Sequence, residues 1–163
     1  MRRLTISCQA CVEALAVLVT MAWADGRLED SERAGVLGAA KVLNLSKEMR
    51  DRVNDLLAKP VPVDQILFDT LSARDRAFLY VAAAWMAGVD EDVDPKEKEV
   101  LDRAASALGY TPERRAELDA IARDIAPAKN GGRDWAQEIE RLFRAIPVHL
   151  EDASPEEIEV VFE

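Results

Sequence analysis

Apolar residues recur every three or four positions along most of this chain, and this spacing is typical of helices that bury one face. Between residues 8 and 24, for example, Leu15, Leu18 and Val19 fall on the same side of such a helix. Residues 30–43 continue the pattern with Val36. We find no alternation of apolar and polar residues long enough to predict a strand. The pattern therefore predicts an all-α protein with about seven helices.

Residues that cap or interrupt helices predict where these helices begin and end. A side-chain oxygen just before a helix can accept a hydrogen bond from a free amide of its first turn. Such an oxygen stands at the expected start of the third to seventh helices, on Ser46, Ser72, Asp94, Thr111 and Asp134. Pro60 and Pro62 are expected to end the third helix. The connector at residues 60–71 has room for one short helix around Leu67.

The chain also repeats itself. Residues 12–57 align without gaps with residues 77–122, an offset of 65 positions that places Asp25 on Asp90 and Glu32 on Glu97. A repeat of this length indicates two related helical units that bury their apolar faces against each other. Because the first, second, fourth and fifth helices are rich in alanine, we expect them to form a tight central bundle, with the two copies related by a pseudo-twofold axis.

Each copy carries an acidic turn between its first two helices, and these turns are the main candidates for chemistry. Hard divalent cations bind several oxygen ligands, and carboxylates on a short turn can supply them. The predicted metal ligands are Asp25, Glu29 and Glu32 in the first turn and Asp90, Asp92, Asp94 and Glu97 in the second. We expect a divalent cation, Ca²⁺ or Mg²⁺, and the second turn is the richer site.

The acidic turns allow two other interpretations. The second turn begins like an EF-hand loop, but Pro95 stands where that loop needs glycine and Leu101 where it needs glutamate, which excludes a true EF-hand. Helix capping accounts for Asp94, because acidic residues stabilise helix N-termini. It accounts less well for Asp25 and Asp90, which follow helices whose C-termini repel a carboxylate.

The length and the net charge of the chain limit the classes of protein to which it can belong. A chain of 163 residues is expected to form one domain over residues 1–146, followed by an acidic tail at residues 147–163 whose last apolar residues dock on the body or on a partner. The net charge of −10 and the lack of a clustered basic face argue against nucleic acid as a partner. They favour cations or basic protein surfaces.

The two cysteines form a single C-x-x-C pair, Cys8 and Cys11. We interpret them as two small residues of the first helix, with a redox pair or a metal site shared across a dimer as alternatives. No disulfide framework is indicated, so a cytoplasmic location is expected. Residues 14–24 have the outline of a secretion leader, but their recurrence at residues 78–88 favours a core helix, and the apolar runs are too short to span a bilayer.

The acidic turns also carry a resemblance to a known family. Ala24-Asp25-Gly26, the later Glu32 and the small apolar helix at residues 39–43 resemble the TerB-like (tellurite-resistance B) family, and residues 90–109 are similar. The resemblance covers about residues 10–125. It implies an all-helical domain without enzymatic activity, associated with bacterial stress and tellurite resistance, divalent-cation binding and membrane-proximal protein complexes. The positions that match the motif are Asp25, Glu32, Asp90 and Glu97.

Catalysis is the weaker interpretation. The single histidine, His149, is not accompanied by a nucleophile motif. No glycine-rich phosphate loop is present. No catalytic residue is therefore predicted, and the expected function is a cation-binding interaction or adaptor domain with a protein partner. Two alternatives stay open: a metal-dependent hydrolase with carboxylate ligands, and a protein-binding scaffold that holds no metal.

Overall fold

A computed structural model describes residues 2–25, 30–43, 45–59, 69, 71–87, 95–125, 135–154 and 156–162. Within these ranges the protein is mostly helical, as predicted. The helices are α1 (Cys8–Ala22), α2 (Asp30–Val42), α3 (Lys47–Ala58), α4 (Ala73–Ala87), α5 (Pro95–Leu108), α6 (Pro112–Asp124) and α7 (Trp135–Leu150). A 3-10 turn, Trp23–Asp25, follows α1, and two short strands, β1 (Arg2–Ile6) and β2 (Ile158–Phe162), lie near the ends of the chain.

The helix bounds reproduce the internal repeat. Moving α1 by 65 positions gives residues 73–87, which are the bounds of α4. The same shift places α2 on α5 and α3 on α6, with a difference of one residue at the C-terminal end of each pair. The offset found in the sequence is therefore also an offset between elements of the fold.

The helix caps repeat as well. The hydroxyls of Ser46, Ser72 and Thr111 each accept a hydrogen bond from a backbone amide three residues later, at 3.1–3.2 Å, which confirms these predicted caps. Ser7 caps α1 in the same way at 3.1 Å, 65 positions before Ser72. The caps predicted at Asp94 and Asp134, and the short helix predicted around Leu67, lie outside the described residues.

The centre of the core is formed by α1 and α4. All residues of α1 from position 10 to position 21 are buried, and alanines such as Ala14 and Ala82 allow the two helices to approach each other closely. On either side, α3 packs on α1 and α6 packs on α4, as the repeat requires. The last helix, α7, lies across α2 and α4, and its Phe143 meets Phe78 edge-on, with ring centroids 5.0 Å apart.

The structure adds one short sheet that the sequence pattern did not predict. β1 and β2 form a two-stranded parallel sheet in which Leu4 pairs with Val160 and Ile6 with Phe162. Leu4 and Ile6 are buried and their neighbours exposed, an alternation of only two apolar residues, which is too short to stand out in the sequence. The apolar end of the tail thus docks on the body of the protein, and residues 147–150 extend α7.

None of the helices in the described ranges is long and apolar enough to cross a bilayer.

Candidate functional site

The first acidic turn connects α1 to α2. Asp25 is the last residue of the 3-10 turn and Glu32 is the third residue of α2. Glu29 and the side chains of Asp25 and Glu32 lie outside what the structure describes. The backbone nevertheless shows that this turn follows the C-terminal end of one buried helix and leads into the N-terminal end of the next.

The second acidic turn lies between α4 and α5 in the sequence. Asp90, Asp92 and Asp94 lie outside the described residues. Glu97 is in the first turn of α5, where it is half-buried. A carboxylate at this position also faces the positive end of the helix dipole, so its place in the fold suits either a cap or a ligand.

One contact links the two copies beside the acidic turns. The 3-10 turn that ends at Asp25 packs against α5, the helix that carries Glu97. α1 also contacts α5. The first acidic turn therefore adjoins the helix that follows the second one. Within the described ranges, no three His, Cys, Asp or Glu side chains are grouped so that they could hold a metal ion.

A polar network joins the helices of the second copy. The Tyr80 hydroxyl on α4 donates a hydrogen bond to Asp119 Oδ1 at 2.7 Å and accepts one from Arg115 Nε at 2.8 Å. Arg115 also forms an ion pair with Asp102 on α5. Burial raises the pKa of the Tyr80 phenol, and the hydrogen bond to Asp119 raises it further. This network fixes α5 and α6 on the central helix.

In the first copy, a buried ion pair joins α1 and α3, the helices that correspond to α4 and α6. Glu13 of α1 is fully buried, and Arg52 of α3 places Nη2 2.9 Å from its carboxylate. Gln9 donates a second hydrogen bond to Glu13 at 3.2 Å. Sequence analysis assigned no role to Glu13. The signal that could have identified it is a charged residue inside an otherwise apolar run.

The structure also reveals a half-open cavity of about 280 Å³ among α4, α6 and α7. Glu138, which is 8% exposed, lines this cavity, and its Oε1 has no hydrogen-bond partner among the described residues. Arg141 and His149 also line it. His149 therefore lines the same cavity as the carboxyl group of Glu138 and the guanidinium group of Arg141. Neither cysteine nor serine is among the lining residues.

These features define a mostly helical protein built around two copies of a three-helix unit, with an acidic segment of the sequence at the same place in each copy. Residues 7–122 match the family model described as "Protein of unknown function (DUF533)". The chain belongs to this family. The match begins at the cap of α1 and ends within α6, so it covers both copies and excludes α7 and the two strands. Neither a curated protein nor a solved structure matches the chain significantly.

Proposed function

We propose that the protein is a non-enzymatic, TerB-like interaction domain that binds a divalent cation through its repeated acidic turns. In this proposal Ca²⁺ or Mg²⁺ binding alters the surface that a protein partner recognises, and the protein acts as an adaptor in a bacterial stress or tellurite-resistance system. The family match supports the assignment to this class of domain because it spans both repeats and begins and ends with them.

The observation that carries the proposal is the equivalence of the two turns. The same 65-residue offset relates the flanking helices, α1 to α4 and α2 to α5. In the sequence, Asp25 and Asp90 each stand three residues after the last residue of one of the two central helices. The negative end of the helix dipole repels a carboxylate at the C-terminal end of a helix, so a positively charged partner would stabilise the carboxylate. A cation shared with the acids of the next helix would be such a partner.

The contact between the 3-10 turn and α5 adds a second argument. It brings the segment that ends at Asp25 to the helix that carries Glu97. Carboxylates from both copies can then contribute to neighbouring sites, and occupation of one site can influence the other. A cation that neutralises part of the net charge of −10 would also change how basic partner surfaces are attracted.

Calorimetric titration of the chelator-stripped protein with Ca²⁺, Mg²⁺ and Zn²⁺ tests this proposal. We expect saturable binding of a hard cation by the wild-type protein and its loss in the Asp25→Asn/Asp90→Asn variant. The matched control is Asp51→Asn/Asp55→Asn, which removes the same charge from exposed positions of α3. This control should bind like the wild type.

Each of the other outcomes would support a different function. If the wild-type protein binds no cation, the repeated acids are helix caps and the protein is a scaffold without metal. If both double variants lose affinity equally, binding depends on the overall charge and not on the turns. Cation-dependent hydrolysis of a phosphate or carboxylate ester that the Asp25→Asn/Asp90→Asn variant loses would favour the hydrolase alternative.

A further inference from the structure

The two cysteines lie in the first turn of α1 in unlike surroundings. Cys8 is the first residue of the helix and is half-buried, whereas Cys11, three residues later, is fully buried. The two thiols are not joined in a disulfide. In an α-helix the Cα atoms of residues i and i+3 lie about 5 Å apart. This separation falls within the range that disulfides span, about 4.4–6.8 Å.

The helix terminus gives Cys8 the character of an attacking group. Free backbone amides at a helix N-terminus stabilise a negative charge, and Cys8, the first residue of α1, stands at this end of the helix and is only half-buried. Cys11 is the opposite case, because burial raises the pKa of its thiol, and the neighbouring Cys8 and Asp75 raise it further. The half-buried Cys8 is therefore the thiol that a second molecule can reach, whereas the buried Cys11 thiol stays protonated until Cys8 has reacted.

Asp75 is an independent feature of the same place. It belongs to the first turn of α4, is 9% exposed, and its Oδ1 has no hydrogen-bond partner among the described residues. α1 and α4 pack against each other, and the guanidinium group of Arg74, in the first turn of α4, donates a 3.1 Å hydrogen bond to the carbonyl of Thr5, two residues before the cap of α1. A buried carboxyl group with an open acceptor, whose charge acts on the buried Cys11 thiol, can serve as the proton acceptor for that thiol.

The internal repeat shows that the fold does not require these side chains. At the 65-residue offset, Cys8 corresponds to Ala73 and Asp75 corresponds to Ala10. The two helices begin with the same serine cap and the same bounds although their first turns differ in these residues. The thiols and the acid are thus specific to this junction and are not part of the repeated helical unit.

We propose that Cys8, Cys11 and Asp75 form a dithiol–disulfide exchange site that reduces a disulfide of a second molecule. The Cys8 thiolate attacks one sulfur of that disulfide and forms a mixed disulfide, and the other sulfur leaves as a thiolate that takes up a proton. Cys11 then transfers its proton to Asp75 and attacks the Cys8 sulfur, which releases the second substrate thiolate. The protein loses two electrons and becomes the Cys8–Cys11 disulfide, and the substrate disulfide gains them and becomes two thiols.

The test uses the reduced full-length protein and oxidised glutathione as the substrate disulfide, with acid quenching, thiol alkylation and mass spectrometry. We expect a transient glutathione adduct on Cys8 that resolves into an intramolecular disulfide and blocks both thiols from alkylation. The Cys11→Ser variant should stop at the adduct, and Cys8→Ser should form neither product. Persistence of two free thiols in the wild-type protein, or a stable adduct that never resolves, would overturn the proposal.

The role of Asp75 is tested by Asp75→Asn, with Asp55→Asn on the exposed face of α3 as the control. Resolution of the adduct should slow about tenfold or more in Asp75→Asn, while formation of the adduct on Cys8 stays at the wild-type rate. A purely structural role, as an acid near the N-terminus of α4, would change the thermal midpoint and leave the ratio of these two rates unchanged. That result would remove Asp75 from the site.

Discussion

The buried ion pair between α1 and α3 gives a quantitative test of the packing. Glu13 is fully buried, and its carboxylate lies 2.9 Å from Nη2 of Arg52, whose side chain is 36% exposed. The Arg52→Met variant keeps most of the aliphatic stem of the side chain and removes its charge. The buried carboxylate then loses its cationic partner, although the Gln9 amide 3.2 Å away stays in place.

The size of the effect follows from this geometry. Removing one partner of a fully buried pair costs about 3–5 kcal/mol. Because water reaches the partly exposed Arg52 and weakens the attraction, we expect a loss of about 2–3 kcal/mol in the free energy of unfolding at pH 7. For a domain of this size that corresponds to about 5–10 °C in the thermal midpoint. The free energy of unfolding is obtained from the urea midpoint and the slope of the urea dependence, with unfolding followed by circular dichroism.

A double-mutant cycle separates the pair from other effects of the substitution. In the Glu13→Gln background, Arg52→Met should cost less than about 1 kcal/mol, because the buried negative charge that Arg52 neutralises is absent. Arg50→Met, at an exposed position of the same helix, is the control and should change stability by less than about 0.5 kcal/mol. If Arg52→Met costs as much with Glu13→Gln as without it, the two side chains are not coupled and the reasoning fails.

Three further predictions concern other parts of the fold. Ser46→Ala and Thr111→Ala should each lower the free energy of unfolding by about 1 kcal/mol in urea titrations, and the double variant should show the sum; a neutral result would mean that the caps are not formed. The phenols of Tyr80 and Tyr110 have a raised pKa in the folded protein, so their ultraviolet titration should have a higher midpoint in the native than in the urea-unfolded state. The free energy of unfolding should therefore fall as the pH rises above about 10, because the unfolded chain releases its phenol protons first. Coinciding midpoints would show that the phenols are not buried. Val160→Asp, at a buried position of β2, should cost about 2 kcal/mol or more and speed hydrogen exchange in β1; unchanged exchange would mean that the two strands do not pair.

The helical part of the fold was predictable because the signals that specify it are local. A capping hydroxyl and the first amides of a helix belong to one four-residue segment, so Ser46, Ser72 and Thr111 mark helix starts without reference to the rest of the chain. The repeat then supplies a second, independent copy of each signal. This agreement between copies is why the predicted helix bounds lie close to those in the structure.

Features that depend on distant residues were not predictable in this way. β1 has only two buried apolar residues, and its strand conformation depends on pairing with β2, more than 150 positions away. Neither the burial of Glu13 beneath Arg52 nor the burial of Asp75 follows from spacing along the sequence, because each depends on how helices pack. The acidic turns were identified from the repeat, and their use as ligands stays a prediction.

Calorimetry on the stripped wild-type protein and on the single variants Asp25→Asn and Asp90→Asn determines whether the acidic turns bind Ca²⁺ and with what stoichiometry. If both turns bind a cation, each single variant should lose one site or lose affinity at a shared one, and the second turn should show the larger effect. Wild-type stoichiometry and affinity in both variants would contradict the central claim, because the repeated carboxylates would then have no part in binding.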